Sequence, residues 1–301
     1  MKARELIVIA VVLALLVLIG SGCSVIQKGT EAVSKVASSP VTKAAVALRN
    51  SFADITEEEE YYIGRSVAAL ILSKYDVYQN EPLTQYVNKV GSSVVAYSDR
   101  PETFAGYHFL VLNANEVNAL AAPGGFIFIT KGLLAKCRDE EMLASVLAHE
   151  VGHVASKHGL KAIKKSRLVD AFKMIGSDVA ARYTPAELSQ LTEVFEGALG
   201  DIAEQLIEKG YDRKLEYEAD ELSVKFATAT GYNPSGLTRF LDALAKAEPA
   251  KKEGVKGWFQ THPQPQDRLD KVKAEIEDLK TLPEESKSRA QRFKQATSGL
   301  K

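Results

Sequence analysis

His149-Glu150-Val151-Gly152-His153 is the stretch on which the reading turns. It matches the pattern H-E-x-x-H, and apolar Leu143, Val146 and Leu147 upstream place it in a helix. Residues four apart share one helical face, so both imidazoles can reach one metal ion. Glu150 sits beside them, placed to take a proton from an attacking water. Two imidazoles in this arrangement suit zinc, one ion per chain.

A catalytic zinc takes three protein ligands and keeps one position open. The metzincin pattern would require Gly at position 156 and His at 159, but the chain has Ser156 and Gly159. A ligand glutamate soon after the motif is excluded too, because no Glu occurs between Glu150 and Glu187. The best candidate lies in Arg213-Lys214-Leu215-Glu216-Tyr217-Glu218-Ala219-Asp220. Glu216 and Asp220 are i and i+4 on one helix face. One can bind the metal while the other orients a ligand histidine or the helix.

The rest of the chain agrees with a globular enzyme. Of 301 residues 46% are apolar, and 38 basic against 39 acidic residues give a formal net charge of -1. This excludes wholesale disorder, a disulfide scaffold and the basic excess of a nucleic-acid binder. No G-x-x-x-x-G-K-[ST] pattern is present, which argues against an ATP-driven protease. Helices are expected near 57–74, 82–97, 139–157, 160–176, 185–208, 212–230, 234–247 and 264–280. Strands are expected near 107–112, 117–121 and 126–130. The chain therefore reads as mostly helical α+β, with a small sheet beside the H-E-x-x-H helix. Tyr61, Tyr62, Ile63, Val67, Leu70 and Ile71 recur at helical spacing and are expected in the core. Residues 160–208 are long enough to form a lid over the site.

Both ends read as appendages. Lys2 and Arg4 precede an apolar run from Leu6 to Ile19, the form of an export signal. Gly20-Ser21-Gly22-Cys23 follows and resembles a bacterial lipobox with Cys23 as the lipidated residue, although Gly20 stands where a larger aliphatic is usual. Leu6 to Ile26 carries no charge and could instead span a bilayer. The expected organisation is a signal peptide over 1–22, a tether over 23–54, a metallopeptidase domain over 55–282 and a mobile polar tail over 283–301. The expected location is the periplasmic face, membrane-tethered, with Ser24 after the cysteine favouring the outer membrane. The other cysteine, Cys137, is then a lone thiol.

The motif pair resembles peptidase family M48, the family of the CAAX prenyl protease, the membrane heat-shock protease HtpX and the mitochondrial Oma protease. Asn115-Glu116-x-Asn118-Ala119-x-Ala121-x-Pro123-Gly124-Gly125-x-Ile127 resembles that family's substrate-side strand, and Thr261-His262-Pro263 with Arg268 resembles its C-terminal element. The resemblance covers about residues 55–280 and implies a gluzincin-type zincin fold. It implies His149, His153 and Glu216 as zinc ligands, Glu150 as base and Asp220 in support. It brings His262 and Arg268 near the metal, as donors to the transition-state oxyanion or, for His262, as a fourth ligand that closes the site. Substrate is expected along an edge strand, Gly125, Phe126, Ile127 and Phe128, by strand addition. His158 is expected to be solvated. The resemblance is strongest to an exported, lipid-anchored bacterial branch acting on misfolded or unassembled envelope proteins. A latent or chaperone-like protein and a different zinc hydrolase are the alternatives.

Overall fold

Thr56 caps the first helix of the described residues in both directions. Its hydroxyl accepts from the Glu59 amide at 3.2 Å, and Glu59 Oε2 accepts from the Thr56 amide at 2.7 Å. Helix α1 then runs Glu57–Lys74, with Glu57 to Glu60 in its first turn where the helix dipole favours acid. The computed structural model describes residues 55–161, 196–197, 199–246, 258, 261–262 and 265–300. Cys23, the tether and most of the expected lid lie outside the described residues. Among the described residues, no helix is long and apolar enough to cross a membrane.

Ile63, Val67 and Ile71 of α1 are buried, but Tyr62 and Leu70 face outward and correct the expectation that they are core. Gly64 fixes how closely α1 approaches the turn Pro123–Gly125, since a Cβ there would lie 1.8 Å from the Pro123 carbonyl oxygen. Helix α2, Glu81–Val95, starts at Asn80, whose side chain accepts from the Leu83 amide, and buries Leu83, Val87, Val90 and Val94.

Three short strands form one sheet: β1 (His108–Leu112), β2 (Ala119–Ala122) and β3 (Phe126–Thr130), in the order β1-β3-β2. β3 pairs parallel to β1, with Phe109 opposite Ile127, and antiparallel to β2, with Ala121 opposite Ile127. This overturns the expected substrate strand. Gly125 lies in the turn before β3, and Phe126, Ile127 and Phe128 lie on the central strand, where both ladder edges are occupied. Among the described residues, the strand whose outer edge pairs with no other strand and lies toward the histidines is β2.

Thr130 closes β3 and caps α3 (Lys131–Lys136) through its hydroxyl. Asp139 then caps α4 (Glu140–Ala155), the helix that carries the H-E-x-x-H motif. Every residue of α4 from Glu140 to Val154 is buried. A short helix α5 (His158–Lys161) follows. After the undescribed stretch come a π-helical turn (Gln205–Lys209), α6 (Arg213–Thr230), α7 (Ser235–Ala245) and α8 (Pro265–Glu277). α6 starts at Asp212, which accepts from the Lys214 and Leu215 amides, and ends at Gly231 with φ 86°. α6 lies along α4, where Ser223 donates to the Ser145 carbonyl at 2.7 Å.

The C-terminal segment is not a loose polar tail. Lys287–Ala296 forms helix α9, and Phe293 enters the main core, 5% exposed. Arg289 donates to Glu141 at 3.0 Å, and Arg292 donates to Glu140 through Nε at 2.8 Å and also through Nη2. Its charges looked like solvent exposure in the sequence because their acidic partners lie about 150 residues away, on α4. Replacing Phe293 with Ala is expected to destabilise the fold by about 3–5 kcal/mol. Urea denaturation checks this, and an unchanged midpoint would mean that α9 is only loosely docked.

Candidate metal centre

Burial of α4 forces the question of what satisfies its polar side chains. His149, Glu150 and His153 are all inside, as are Glu216 and Asp220 of α6. Unpaired polar groups at such positions would be costly. The helical spacing turns both histidines to one side, and their Nε2 atoms lie 3.0 Å apart. Glu216, in the first turns of α6, brings its carboxylate to 3.7 Å from His149 Nε2 and 3.5 Å from His153 Nε2. His262 adds its Nδ1 at 3.1 Å from both Glu216 oxygens. The ligand atoms of His149, His153, Glu216 and His262 all lie within 4.8 Å of one another.

These residues fit a metal ion. Two nitrogens bound tetrahedrally at the usual zinc distance are separated by about 3.3 Å, which the 3.0, 3.5 and 3.7 Å separations bracket. Glu150 supplies a second sign. Both of its carboxylate oxygens are buried and lack a hydrogen-bond partner among the described residues. Burial pushes its carboxyl above the ordinary range, against the pull of His262 and His149. Burial likewise holds His153 well below the usual imidazole range, so its ring is neutral and free to ligate. Glu216 goes the other way. Burial would raise it, but the His262 and Arg268 charges override that and keep it ionised.

Asp220 and Arg268 frame the ligands. Asp220 Oδ1 lies 3.0 Å from His149 Nδ1, the ring atom turned away from the cluster. Arg268 donates from Nε and Nη2 to Asp220, both at 2.7 Å, and its Nη1 lies 2.7 Å from Glu216 Oε2. All three of its nitrogens therefore serve carboxylates. Arg268 thus lies between Glu216 and Asp220, the two acidic residues of α6 that face the histidines. Trp258 completes the wall: its ring stacks on His262 at 4.2 Å, meets Phe240 edge-on at 4.9 Å, and is fully buried.

The free edge of β2 faces this cluster. His262 Nε2 lies 3.4 Å from the Ala119 carbonyl oxygen, and Tyr211 donates its hydroxyl to the Ala121 carbonyl at 3.5 Å. Tyr211 also stacks on His153, with ring centres 4.2 Å apart. A narrow cavity remains between Glu150, His262, Leu206, Tyr211 and β2. Gly210 makes the close fit: its φ is +68°, and a Cβ would fall 2.0 Å from the Thr261 carbonyl oxygen. Sequence reasoning missed Tyr211, which has no spacing signal, and misjudged His158. His158 is fully buried, with its Nδ1 2.8 Å from His153 Nδ1, and burial holds it down at about 4.

The model of Peptidase family M48 matches residues 81–276, which contain both histidines, Glu150, Glu216, His262 and Arg268. The chain is 30% identical over 195 residues to the beta-barrel assembly-enhancing protease of Escherichia coli K12, covering 63% of this chain and 38% of that protein. It is 30% identical over 169 residues to the metalloprotease YcaL of the same organism, covering 56% of this chain and 62% of YcaL. It is 24% identical over 231 residues to the mitochondrial metalloendopeptidase OMA1 of Schizosaccharomyces pombe, covering 74% and 63%. The chain thus spans about two fifths of the assembly-enhancing protease and nearly two thirds of the other two. With the family model covering most of the chain and the convergent residues inside the matched span, this chain belongs to peptidase family M48.

Proposed function

We propose that the chain is a zinc-dependent endopeptidase of the gluzincin type, with residues 55–282 as its peptidase domain. The observation that carries this reading is the convergence of His149, His153 and Glu216 on one point beside a buried Glu150 whose oxygens have no hydrogen-bond partner among the described residues. His149, His153 and Glu216 would hold the zinc, which supplies Lewis acidity toward a peptide carbonyl. Glu150 accepts a proton from the attacking water on a carboxylate oxygen and returns it to the leaving amine nitrogen. Its raised proton affinity matches that double role. Arg268 and Asp220 act as positioning residues that hold Glu216 and His149.

The substrate pairs in extended form with the free edge of β2, not with β3. Its backbone takes the place of Tyr211 and His262 at the Ala121 and Ala119 carbonyls. The names of the assembly-enhancing proteases support unassembled or misfolded envelope proteins as the substrate class. The export signal and the cysteine at position 23 support a periplasmic enzyme tethered by lipid or by a membrane span.

A second reading has its own observation. His262 stands within reach of the other three ligands and, with Tyr211, occupies the β2 edge. This supports a latent, closed form in which His262 fills the fourth zinc position, as a chaperone-like quality-control protein would need.

One panel of variants tests both readings. Casein cleavage by the full chain is expected to fall about 100- to 10,000-fold in Glu150→Gln. Cleavage by Glu150→Gln at the wild-type rate would contradict the peptidase reading. In His262→Ala a rise in cleavage identifies the closed form, whereas a fall identifies His262 as a donor to the reacting carbonyl.

A further inference from the structure

We infer that His158 is a positioning residue for the metal centre: it accepts the Nδ1 proton of His153 and so commits that ring's Nε2 to the metal. The inference rests on the metal centre proposed above and concerns a side chain outside the ligand cluster.

The geometry leaves few alternatives. His153 Nδ1 and His158 Nδ1 face each other at 2.8 Å, with the rings at 73° and their centres 4.9 Å apart. Both side chains are buried. One proton lies between the two nitrogens, on one side or the other. A neutral imidazole that ligates through Nε2 carries its proton on Nδ1. His158 Nδ1 must then be the lone-pair partner, and the proton of His158 sits on Nε2, where Glu218 Oε2 lies 3.3 Å away. The opposite assignment puts the His153 proton on Nε2, which faces His149 at 3.0 Å and Glu216 at 3.5 Å, and removes the lone pair that would bind metal. Only the first assignment gives each nitrogen a consistent role.

The local backbone is built to produce this contact. In an unbroken helix a residue five positions on lies about 140° around the axis, so His158 would point away from the site. Lys157 prevents that. Its φ is +55°, the only positive value at a non-glycine among the described residues. Such a conformation is disfavoured for a residue with a Cβ and persists where the surroundings over-determine it. Lys157 Nζ is anchored 3.2 Å from buried Glu60, and Gly159 allows the new helix to lie against Pro123, where a Cβ would meet the ring at 3.2 Å. The reversal brings His158 back onto His153.

The two ligand histidines are thereby supported in different ways. His149 has a carboxylate, Asp220, 3.0 Å from its Nδ1. His153 has an imidazole at the corresponding atom, with Glu218 behind it. Glu218 is 42% exposed at its side chain and lies 3.9 Å from Lys161. The chain Glu218–His158–His153 therefore runs from the protein surface to the proposed ligand.

The test measures zinc affinity of the full chain by competition with a chromophoric chelator. Removing an outer-shell partner of this kind weakens metal binding about 10- to 100-fold. His158→Phe is expected to show that loss. His158→Asn, which keeps an acceptor near the Nδ1 position, is expected to stay within about threefold of wild type. A folded His158→Phe protein that binds zinc as tightly as wild type would overturn the inference. If that variant does not fold, the wild-type zinc protein labelled with nitrogen-15 histidine decides: a proton on Nδ1 of His153 and on Nε2 of His158 supports the inference, and a proton on Nδ1 of His158 refutes it. Failure of the underlying reading looks different, because wild type itself would then bind no zinc, and the inference would fall with it.

Discussion

The complete burial of α4 is the constraint on which the rest of the structure depends. Fifteen consecutive positions, Glu140 to Val154, are inside, and five of them carry ionisable side chains: Glu140, Glu141, His149, Glu150 and His153. Moving such groups from water to the interior is affordable only where each finds partners. At the N-terminal end the partners come from distant segments. Tyr86, Tyr232 and Arg292 donate to Glu140, while Arg289 and the Asn233 amide donate to Glu141. At the C-terminal end Asp220 and His158 face the outer nitrogens of the two histidines, and Glu216 faces the inner ones. Glu150 is the exception: neither oxygen has a hydrogen-bond partner among the described residues, and the His262 ring stands 3.8 Å from Oε1. A buried carboxylate with neither oxygen hydrogen-bonded points to function.

The same constraint explains why the α6, α8 and α9 helices are needed around a small sheet. α6 carries Glu216 and Asp220, and α8 carries Arg268 to neutralise them. Removing Arg268 would leave two buried carboxylates facing each other, which is costly. α9 plays the matching part at the other end of α4. The sheet contributes the edge of β2, held 3.4 Å from His262 and 3.5 Å from Tyr211. The His149, His153, Glu216 and His262 cluster, Glu150 and a strand edge are thus brought together by satisfying one helix.

Much of this was legible in the sequence because it is local. The i, i+4 spacing of His149 and His153 and of Glu216 and Asp220 fixes helix faces without knowledge of the fold. What failed was non-local or depended on one backbone angle. Sequential strands usually neighbour one another, which would leave β3 at an edge; here β3 inserts between β1 and β2 by pairing parallel to β1. The position of His158 follows from the left-handed turn at Lys157, a residue type that gives no warning of it. The C-terminal helix has one buried aromatic, Phe293, and basic residues whose acidic partners lie on α4, so its polar composition imitated a tail. Arg268 was expected near the metal, but only the structure gave its partners.

The central claim is that His149, His153 and Glu216 hold a zinc ion. Zinc X-ray absorption on the full chain tests it most directly. The account predicts one zinc per chain, with a first shell of imidazole nitrogen and carboxylate oxygen near the usual 2.0–2.2 Å and no sulfur. The Glu216→Ala protein should lose most of the metal. A sulfur-containing shell, or zinc retained in full after Glu216→Ala, would contradict the account.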